Sequence, residues 1–411
     1  MSTISLEECE SLDAPSSSCQ CYADLCPLLY NSTAEREACF MQPCFISKRA
    51  LEEPALIQIT ILYVLIFIIG IVGNLITCIV IRRHPLLQTH SSSYLLNLAM
   101  SDLVTLCVGL PFEVVMNWNQ YPWPFPDFVC NLKGLVAETT SSVSILTILL
   151  FCIERYIAVN HPFVFVKLKP IRRQVCPILV VTWLVSIVCA VPFGYYHRAD
   201  YILKSWPGTE DGQPVISSKM CMVAVMFDPD LQSTTKFLFH FSAIVFFLLP
   251  LSVIFILYML IAFHVITRRK RLRLTRADST EEAHFRVTII LSSIVCAFFV
   301  CYLPYQAQRV MFFYLDPDSS LSQLNQYIYF ISGLLFYLAT IVNPILYNLV
   351  SSRFRKASKE VLLLICIGRR EGSLSPSRKT TNTMKCAVKY TIASKHTQRC
   401  LVKHLSDSTI I

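Results

Sequence analysis

Residues 338–347 read Leu-Ala-Thr-Ile-Val-Asn-Pro-Ile-Leu-Tyr, which places an Asn343-Pro344-x-x-Tyr347 motif inside an apolar stretch. Three basic residues follow closely, Arg353, Arg355 and Lys356. Pro344 has no backbone N–H, and in hydrocarbon the carbonyl left without a donor is unfavourable unless a neighbour covers it. Such a break is tolerated mainly where a helix must bend. The stretch therefore predicts a membrane-spanning helix that is also a moving part.

Six more apolar runs surround this one in a chain of 411 residues that is 54% hydrophobic and 15% charged. Soluble domains carry about 25% charged residues. Each run is near the roughly 20 residues that cross a bilayer. Spans one to seven are predicted at 56–81, 93–116, 130–154, 175–193, 237–263, 287–314 and 325–349. The sequence therefore predicts an all-α membrane protein with a seven-transmembrane helix bundle.

Basic residues give the expected orientation, because they concentrate in the loops that stay in the cytoplasm. They follow span one (Arg82, Arg83), span three (Lys167, Lys169, Arg172, Arg173) and span five (residues 268–276), whereas the other loops are mixed or acidic. We therefore expect a multi-pass plasma membrane protein with an extracellular amino terminus and a cytoplasmic carboxyl terminus. The net charge of +9 reflects this bias and does not indicate nucleic-acid binding, since the basic runs flank spans and lack stacking aromatics.

Six of the eighteen cysteines lie in the predicted outer tail, residues 1–50: Cys9, Cys19, Cys21, Cys26, Cys39 and Cys44. On the oxidising side of the membrane this density favours a disulfide-linked knot, whose pairing the sequence leaves open. A zinc site is the alternative, but the tail has no histidine to serve as a ligand. The sequon Asn31-Ser32-Thr33 predicts glycosylation of Asn31.

The chain divides into four predicted parts. The outer tail 1–50 precedes the bundle 51–350, and residues 351–366 alternate basic and apolar positions, which predicts a short amphipathic eighth helix at the inner interface. Cys366 at its end is a candidate for palmitoylation, the alternative being an unmodified thiol. Residues 367–411 are rich in Ser, Thr, Lys and Arg and are expected to be a disordered cytoplasmic tail.

Two sets of polar residues lie inside the spans, where charges are functional hypotheses by default. Asp102 lies in mid-span at the same expected depth as Asn74, Ser144 and Asn343, so a protonated structural carboxyl and a bound sodium ion are the two hypotheses. Glu154-Arg155-Tyr156 closes span three at the inner face, where Arg155 can pair with Glu154 or turn to another helix.

A third set lies in the outer half of the bundle and suggests a water-accessible pocket with an acidic bias. Glu113 stands at the top of span two, Glu138 is two turns into span three, and Arg309 is in span six. The alternative is a structural Glu138–Arg309 ion pair that binds nothing. Aromatic neighbours expected for the pocket are Trp118, Tyr305, Phe312 and Phe313.

Taken together, these motifs resemble the rhodopsin-like (class A) G-protein-coupled receptors. The matching residues are Gly73-Asn74, Leu98-Ala99-Met100-Ser101-Asp102, Cys130, Glu154-Arg155-Tyr156, Trp183, Pro250, Tyr258, Pro304 and Asn343-Pro344-x-x-Tyr347. In two places the chain departs from the family pattern: Glu154 replaces the usual Asp, and Tyr302 replaces the usual Trp two residues before Pro304. The resemblance implies a Cys130–Cys221 disulfide and an activation path through Arg155, Tyr258, Tyr302, Pro304 and Tyr347.

Closer similarity is to the neuromedin U receptors and their pyrokinin and capa relatives. Val108-Gly109-Leu110-Pro111-Phe112-Glu113, Trp118-Asn119-Gln120-Tyr121-Pro122 and Gly333-Leu334-Leu335-Phe336-Tyr337-Leu338 carry it. The resemblance implies an amidated peptide ligand with a basic end, acidic partners at Glu113 and Glu138, and a heterotrimeric G protein of the calcium-mobilising Gq class. Arrestin and receptor kinases are further expected partners. Receptors for ghrelin, motilin, neurotensin and thyrotropin-releasing hormone remain alternatives.

Other functions fit the sequence poorly. A retinal protein needs a lysine for the Schiff base, and residues 325–349 contain none. A receptor for biogenic amines has an Asp one position before Glu138, where this chain has Ala137. An enzyme or transporter is not supported, because the chain shows neither a His-x-x-x-His motif, a Walker loop nor a symmetric pair of broken helices. No cofactor is expected apart from the candidate sodium ion.

Overall fold

The computed structural model describes Cys9 and residues 15–45, 47–167, 175–208, 212–272, 279–314 and 320–366. Many side chains between 265 and 294, and that of Cys366, are outside this description. The predicted disordered tail 367–411 also lies outside the described residues. Among the described residues, those up to Ser358 form one compact unit, and those from Lys359 onward belong to a second.

Within the described residues, the regular secondary structure is helical apart from one β-hairpin. In chain order the helices are α1 (Pro15–Leu29), α2 (Thr33–Cys44), α3 (Glu53–Arg83), α4 (His90–Val104), α5 (Leu110–Trp118), α6 (Asp127–Asn160), α7 (Pro162–Lys167), α8 (Val175–Tyr196), α9 (Gln232–Ser242), α10 (Leu249–Leu272), α11 (Ser279–Met311), α12 (Ser320–Val350) and α13 (Ser352–Cys366). The strands β1 (His197–Tyr201) and β2 (Lys219–Val223) pair antiparallel, with Ala199 opposite Cys221.

These helices supply the seven predicted spans. Span one is α3, span two is α4 with α5, span three is α6, span four is α8, span five is α9 with α10, span six is α11 and span seven is α12. In the described part of the chain, six of them satisfy the length and apolarity of a membrane crossing; span six, with many side chains undescribed, is not among these six. The prediction of a seven-helix membrane bundle is confirmed, with observed ends within a few residues of most predicted ones.

Span three lies at the centre of the bundle, where it packs against spans two, four and five and also contacts span six. Span seven packs against spans one and six. The outward faces are apolar: Val181, Leu184 and Val188 of span four are all more than half exposed. Asn74, Asp102 and Ser144 are buried instead. This inside-out distribution fits a bundle whose surroundings are hydrocarbon.

Two spans widen into a π-helix just before a proline. Thr105–Gly109 precedes Pro111 in span two, and Ala243–Leu248 precedes Pro250 in span five. A proline lacks the N–H for the regular i to i−4 bond and its ring crowds the preceding turn, so the helix re-registers there. Both segments lie in the part of the bundle that the sequence marks as the ligand side.

Candidate functional site

The first cluster of the outer half is built around Glu138. This carboxylate is 4% exposed and forms a 2.7 Å ion pair with the Nη2 atom of Arg309 across spans three and six. The hydroxyl of Ser242 in span five donates a hydrogen bond to its other oxygen. Spans three, five and six therefore meet at this buried carboxylate, whose partners are the Arg309 cation and the neutral Ser242 hydroxyl.

Aromatic rings enclose the guanidinium of Arg309. Its central carbon is 4.6 Å from the ring centre of Phe239, 5.3 Å from that of Tyr305 and 5.4 Å from that of Phe193. A cation over an aromatic face is stabilised by the ring quadrupole, most strongly where water is excluded. The ring of Phe313 packs on Phe239 at 5.3 Å, and Phe312 packs on Phe313 at 5.2 Å. The expected neighbours Tyr305, Phe312 and Phe313 thus surround this cluster or its outer edge.

The second cluster is centred on Glu113. Its carboxylate pairs with Lys133 of span three at 3.0 Å and accepts a hydrogen bond of 3.1 Å from the hydroxyl of Tyr329 in span seven. Trp118 lies one turn further out, where its indole N–H donates to the Thr60 hydroxyl at 3.0 Å. The indole ring faces span one and Arg49, and so it belongs to the rim next to Glu113 rather than to the Glu138 cluster.

The charge of the outer half differs from the acidic bias predicted from the sequence. Glu113 and Glu138 are balanced by Lys133 and Arg309, so these four side chains carry no net charge. Sequence reasoning missed Lys133, although it is a charge inside the predicted span 130–154 and the rule on intramembrane charges would have selected it. It also missed Ser242 and Tyr329, whose roles depend on contacts between spans that no local pattern reveals.

The β-hairpin of the second outer loop lies against span three. Cys221 in β2 is joined to Cys130 by a disulfide, and Lys219 pairs with Asp127 at 2.7 Å. The Asp127 hydrogen bond and charge raise the pKa of the Lys219 amine, although burial opposes them. Asn131 donates to the carbonyls of Gly194 and His197 at 2.9 and 2.8 Å, which fixes the start of β1 on the same helix.

His197 fills the space beside Gly134, where a Cβ atom would come within 2.6 Å of the imidazole. The Nδ1 atom is 2.8 Å from the carbonyl of Phe193, so it carries the proton in the neutral ring. Burial lowers the pKa of His197 to about 4, and the charges of Arg309 and Lys133 act in the same direction.

The polar residues at mid-membrane are satisfied by separate hydrogen bonds between spans. Asn343 donates to Asp102 at 3.0 Å, and the hydroxyls of Ser101 and Ser144 are 2.9 Å apart. Asn74 donates to the carbonyl of Thr340 at 2.9 Å. In a regular helix the backbone N–H of residue 344 would donate to this carbonyl, but Pro344 has no N–H. Asn74 of span one therefore supplies the hydrogen bond that is missing at the Asn343-Pro344-x-x-Tyr347 motif.

Tyr302 stands where most members of the family have a tryptophan. Its ring stacks on Phe298 at 3.8 Å and contacts Phe336 edge-on at 5.4 Å. Its hydroxyl interacts with the hydroxyl of Ser144. Pro304 follows two residues later inside the same helix. The substitution therefore gives this position a polar contact at mid-membrane.

The inner end of span three shows Arg155 in a closed arrangement. Its Nη2 atom is 2.6 Å from Glu154 and 3.0 Å from the hydroxyl of Ser91 in span two. The buried hydroxyls of Tyr258 and Tyr347 have no hydrogen-bond partner among the described residues. Tyr347 packs on Phe354, and Tyr156 is 3.5 Å from His161. Arg155 is thus not in contact with Tyr258 or Tyr347 in this conformation.

The candidate modification sites lie at opposite ends of the described chain. Asn31 is exposed in the turn between α1 and α2, where its side chain is available for glycosylation. Helix α13 ends at Cys366, whose side chain is outside the described residues. Neither modification is tested by this geometry, and both stay predictions.

Residues 73–347 match the family described as "7 transmembrane receptor (rhodopsin family)". This match covers more than half of the chain and includes the mid-membrane polar residues, Arg155 and the outer clusters. The chain belongs to this family: it is a class A G-protein-coupled receptor and a multi-pass membrane protein, and it is a receptor rather than an enzyme.

Among its relatives are a pyrokinin receptor and neuromedin-U receptors. The chain is 31% identical over 363 residues to the pyrokinin-1 receptor of Drosophila melanogaster, with 74% of this chain and 80% of the relative covered. It is 34% identical over 321 residues to neuromedin-U receptor 2 of Mus musculus (75% and 76% covered) and 33% identical over 351 residues to neuromedin-U receptor 1 of Homo sapiens (79% and 79%). The resemblance drawn from the motifs is confirmed.

Proposed function

We propose that this receptor binds a neuropeptide of the neuromedin U and pyrokinin type, amidated at its carboxyl end, between the Glu113 and Glu138 clusters. The observation that carries the proposal is a pair of carboxylates, each held by one cation, in an aromatic-lined outer half of the bundle. A guanidinium that reaches this depth loses water and needs a carboxylate partner, and bidentate pairing adds selectivity as well as energy.

The ligand's arginine has to replace a cation that is already present. Glu113 is the more accessible of the two carboxylates, because its partner Lys133 keeps 22% of its side chain exposed against 11% for Arg309. A planar guanidinium forms two parallel bonds with a carboxylate, whereas the lysine ammonium is a point charge. We therefore assign the peptide's arginine to Glu113 first. Arg309 neutralises Glu138 in the empty receptor and turns to the carbonyl of the terminal amide once the arginine lies between the two carboxylates, so that both glutamates face the arginine.

The test is a binding comparison in intact receptor expressed with a calcium reporter. Amidated peptides ending in Arg-Asn and Arg-Leu are screened first, and the active peptide is then measured beside its Arg→Ala analogue. Removing one partner of a desolvated charge pair costs about 2–5 kcal/mol, or about thirty-fold to several thousand-fold in affinity. We expect Glu113→Gln and Glu138→Gln to weaken the arginine peptide by such factors and the analogue much less.

Asp127→Asn is the matched control, because Asp127 also pairs with a lysine but its side chain is 61% exposed at the rim. It should bind both peptides as the parent does. Equal losses for both peptides in the two glutamine variants would show that the carboxylates stabilise the receptor without reading the ligand. A response only to peptides of the motilin or ghrelin type would favour the alternative group, to which the human motilin receptor, 28% identical, belongs.

On the inner side we propose that the receptor activates a heterotrimeric G protein of the Gq class and is then bound by receptor kinases and arrestin. The closed Arg155–Glu154 pair supports a resting state in which the inner face is not yet open to the G protein. Ligand and G protein bind different conformations better, and the shift in population between these conformations is the signal.

The plasma membrane location and the orientation are also proposals. The disulfides Cys9–Cys21, Cys19–Cys44, Cys26–Cys39 and Cys130–Cys221 all lie at the end of the bundle that carries the amino terminus. Disulfides persist on the oxidising side, so this end is extracellular and the carboxyl terminus is cytoplasmic. The basic loops agree with this assignment.

We propose, finally, that Asp102, Ser144 and Asn343 hold a sodium ion in the inactive state. The residues present fit such an ion: Asp102 supplies a buried carboxylate with no paired cation among the described residues, and Ser144 supplies a hydroxyl oxygen nearby. Hard cations prefer oxygen ligands. The Asn343 side chain donates to Asp102, so it would orient the carboxylate through its amide.

A further inference from the structure

The amino-terminal tail is a folded element and not a loose extension. Helices α1 and α2 form a hairpin joined by two disulfides, Cys19–Cys44 and Cys26–Cys39, and a third disulfide, Cys9–Cys21, ties Cys9 to α1. Tyr22, Phe40 and Met41 are buried in a small core. That core is shared with Tyr121 of the first outer loop and with Val215 and Met220 of the second. The hairpin is therefore packed on the bundle.

A single carboxylate, that of Glu37, seats this hairpin on the second outer loop. Glu37 is 5% exposed and accepts hydrogen bonds from the backbone N–H of Ile216 at 3.0 Å and from the N–H and hydroxyl of Ser217 at 2.9 and 2.5 Å. Beside it, the Trp206 indole donates to the carbonyl of Ala23 at 2.9 Å and its ring lies 5.3 Å from Phe40.

Residues 47–50, the strap between the hairpin and span one, cross the outer ends of other elements. The backbone N–H of Ala50 donates to the carbonyl of Asn117 at 2.9 Å, and the Gln326 side chain donates to the carbonyl of Ala50 at 2.8 Å. Gln120 bonds to Lys48 and Ser47. Asn117 lies one turn above Glu113, and Gln326 lies one turn above Tyr329. The strap thus passes directly over the Glu113 cluster.

We propose that residues 15–45 and 47–50 form a cap over the Glu113 end of the proposed binding site, and that Glu37 is the positioning residue that holds this cap in place. A ligand coming from outside has to pass this cap, because the strap bonds to Asn117 and Gln326 above Glu113 and the hairpin packs on the second outer loop. Opening the cap speeds entry and exit alike. The proposal concerns access to the site assigned under the proposed function, but its main test needs no peptide.

The test uses full-length receptor in lipid nanodiscs without ligand. The rate of amide hydrogen exchange at residues 215–218 reports whether the hydrogen bonds to Glu37 are formed. The rate at which a cationic methanethiosulfonate reagent modifies a cysteine introduced as Lys133→Cys, beside Glu113, reports access, after subtraction of the reaction of receptor without that cysteine. Hydrogen bonds to a charged group are among the stronger ones, so Glu37→Gln should raise both rates about tenfold or more. Glu35→Gln is the control, since Glu35 is exposed on the same helix.

The outcomes separate the parts of the proposal. If Glu37→Gln speeds amide exchange but leaves the cysteine modification rate unchanged, the cap is not a barrier to access. If both rates in Glu37→Gln equal those of the parent receptor, Glu37 does not position the cap. If Glu37→Gln fails to reach the cell surface, Ser217→Ala, which removes one donor only, is measured instead and decides in the same way. Faster modification in a receptor that binds no amidated peptide would support the cap while rejecting the proposed ligand.

Discussion

At the scale of single residues, the outer half of this receptor is organised by charges that cancel in pairs. The carboxylate of Glu138 forms an ion pair with Arg309 and accepts a hydrogen bond from the Ser242 hydroxyl. The carboxylate of Glu113 forms an ion pair with Lys133 and accepts a hydrogen bond from the Tyr329 hydroxyl. Breaking a buried pair by removing one partner costs about 3–5 kcal/mol because a charge is left alone. Each of these four residues therefore affects stability as well as binding, which is why the peptide analogue is needed as a comparison.

His197 gives a prediction about pH at the same scale. Its pKa of about 4 in the folded protein lies below the ordinary value of 6.5, so the unfolded state binds more protons between these two pH values. Stability should therefore be complete above pH 6.5 and fall as the pH drops towards 4, by about 3 kcal/mol at most. Thermal unfolding of purified receptor at pH 7.5 and 5.0 measures this.

The matched pair of variants for this prediction is His197→Gln and His161→Gln. The first should reduce the difference in unfolding temperature between the two pH values, whereas the second, at an exposed position on the inner side, should leave it unchanged. An undiminished difference in His197→Gln would assign the acid sensitivity to other groups.

At the scale of elements, the second outer loop depends on its attachment to span three. The β1–β2 hairpin has only two strands, and such a hairpin is marginally stable alone. The Cys130–Cys221 disulfide and the hydrogen bonds of Asn131 hold it in place, whereas the exposed Lys219–Asp127 pair adds little. The same loop carries Ile216 and Ser217, which bond to Glu37, so its position also fixes the amino-terminal hairpin.

Replacing Cys130 and Cys221 by Ala together should lower surface expression or ligand affinity, because losing a native disulfide costs about 2–5 kcal/mol. Flow cytometry of surface receptor and saturation binding measure the two effects. Replacing Cys78 and Cys152, buried free thiols inside the spans, is the comparison for a double substitution without a disulfide. Mass spectrometry that found both Cys130 and Cys221 as free thiols in folded surface receptor would contradict the assignment.

At the scale of the whole molecule, signalling requires the outer and inner ends of the bundle to change together. Span six connects the two ends. Arg309 lies at its outer end and Pro304 lies within the helix. Between the outer end and mid-membrane, Tyr302 contacts the ring of Phe336 and interacts with Ser144. Span seven lacks one helical hydrogen bond at Pro344, and Asn74 donates to the carbonyl left open. A switch needs elements that can adopt two arrangements, and we expect these two spans to supply them.

Arg155→Ala should abolish G-protein activation and leave peptide binding largely intact. In the closed conformation Arg155 pairs with Glu154 and Ser91, and we expect it to turn towards Tyr258 and Tyr347 when the inner face opens. Calcium release and radioligand binding in the same cells measure the two properties. Arg353→Ala, at an exposed basic position after span seven, serves as the control. A normal calcium response in Arg155→Ala would remove this residue from the switch.

Asp102→Asn tests the sodium site. An ion bound by only the inactive state shifts the population towards that state, so sodium should lower agonist affinity in the parent. The variant keeps the shape of the side chain but loses the charge, and its agonist affinity should no longer respond when sodium is replaced by a large organic cation. The same sodium response in variant and parent would place the ion elsewhere or exclude it.

The class of protein and the number of membrane-spanning helices could be predicted from the amino-acid sequence alone. Seven long apolar runs, intramembrane Asp102, Glu154-Arg155-Tyr156 and Asn343-Pro344-x-x-Tyr347 were sufficient, because in hydrocarbon the backbone must form helices and every buried charge is conspicuous. The residues at the centre of the site, Glu113, Glu138 and Arg309, were visible for the same reason. Span ends were predictable to within a few residues for most spans, since apolar length is a direct physical constraint.

The contacts between side chains of different spans became visible only in the folded structure. It paired Glu113 with Lys133 and Tyr329, placed Asn74 on the carbonyl that Pro344 leaves open, and turned Trp118 towards span one. It also selected one pairing among the fifteen open to the six tail cysteines and seated Glu37 on a loop some 180 residues away in sequence. Such contacts depend on distances between elements that are remote along the chain, and local composition carries no record of those distances.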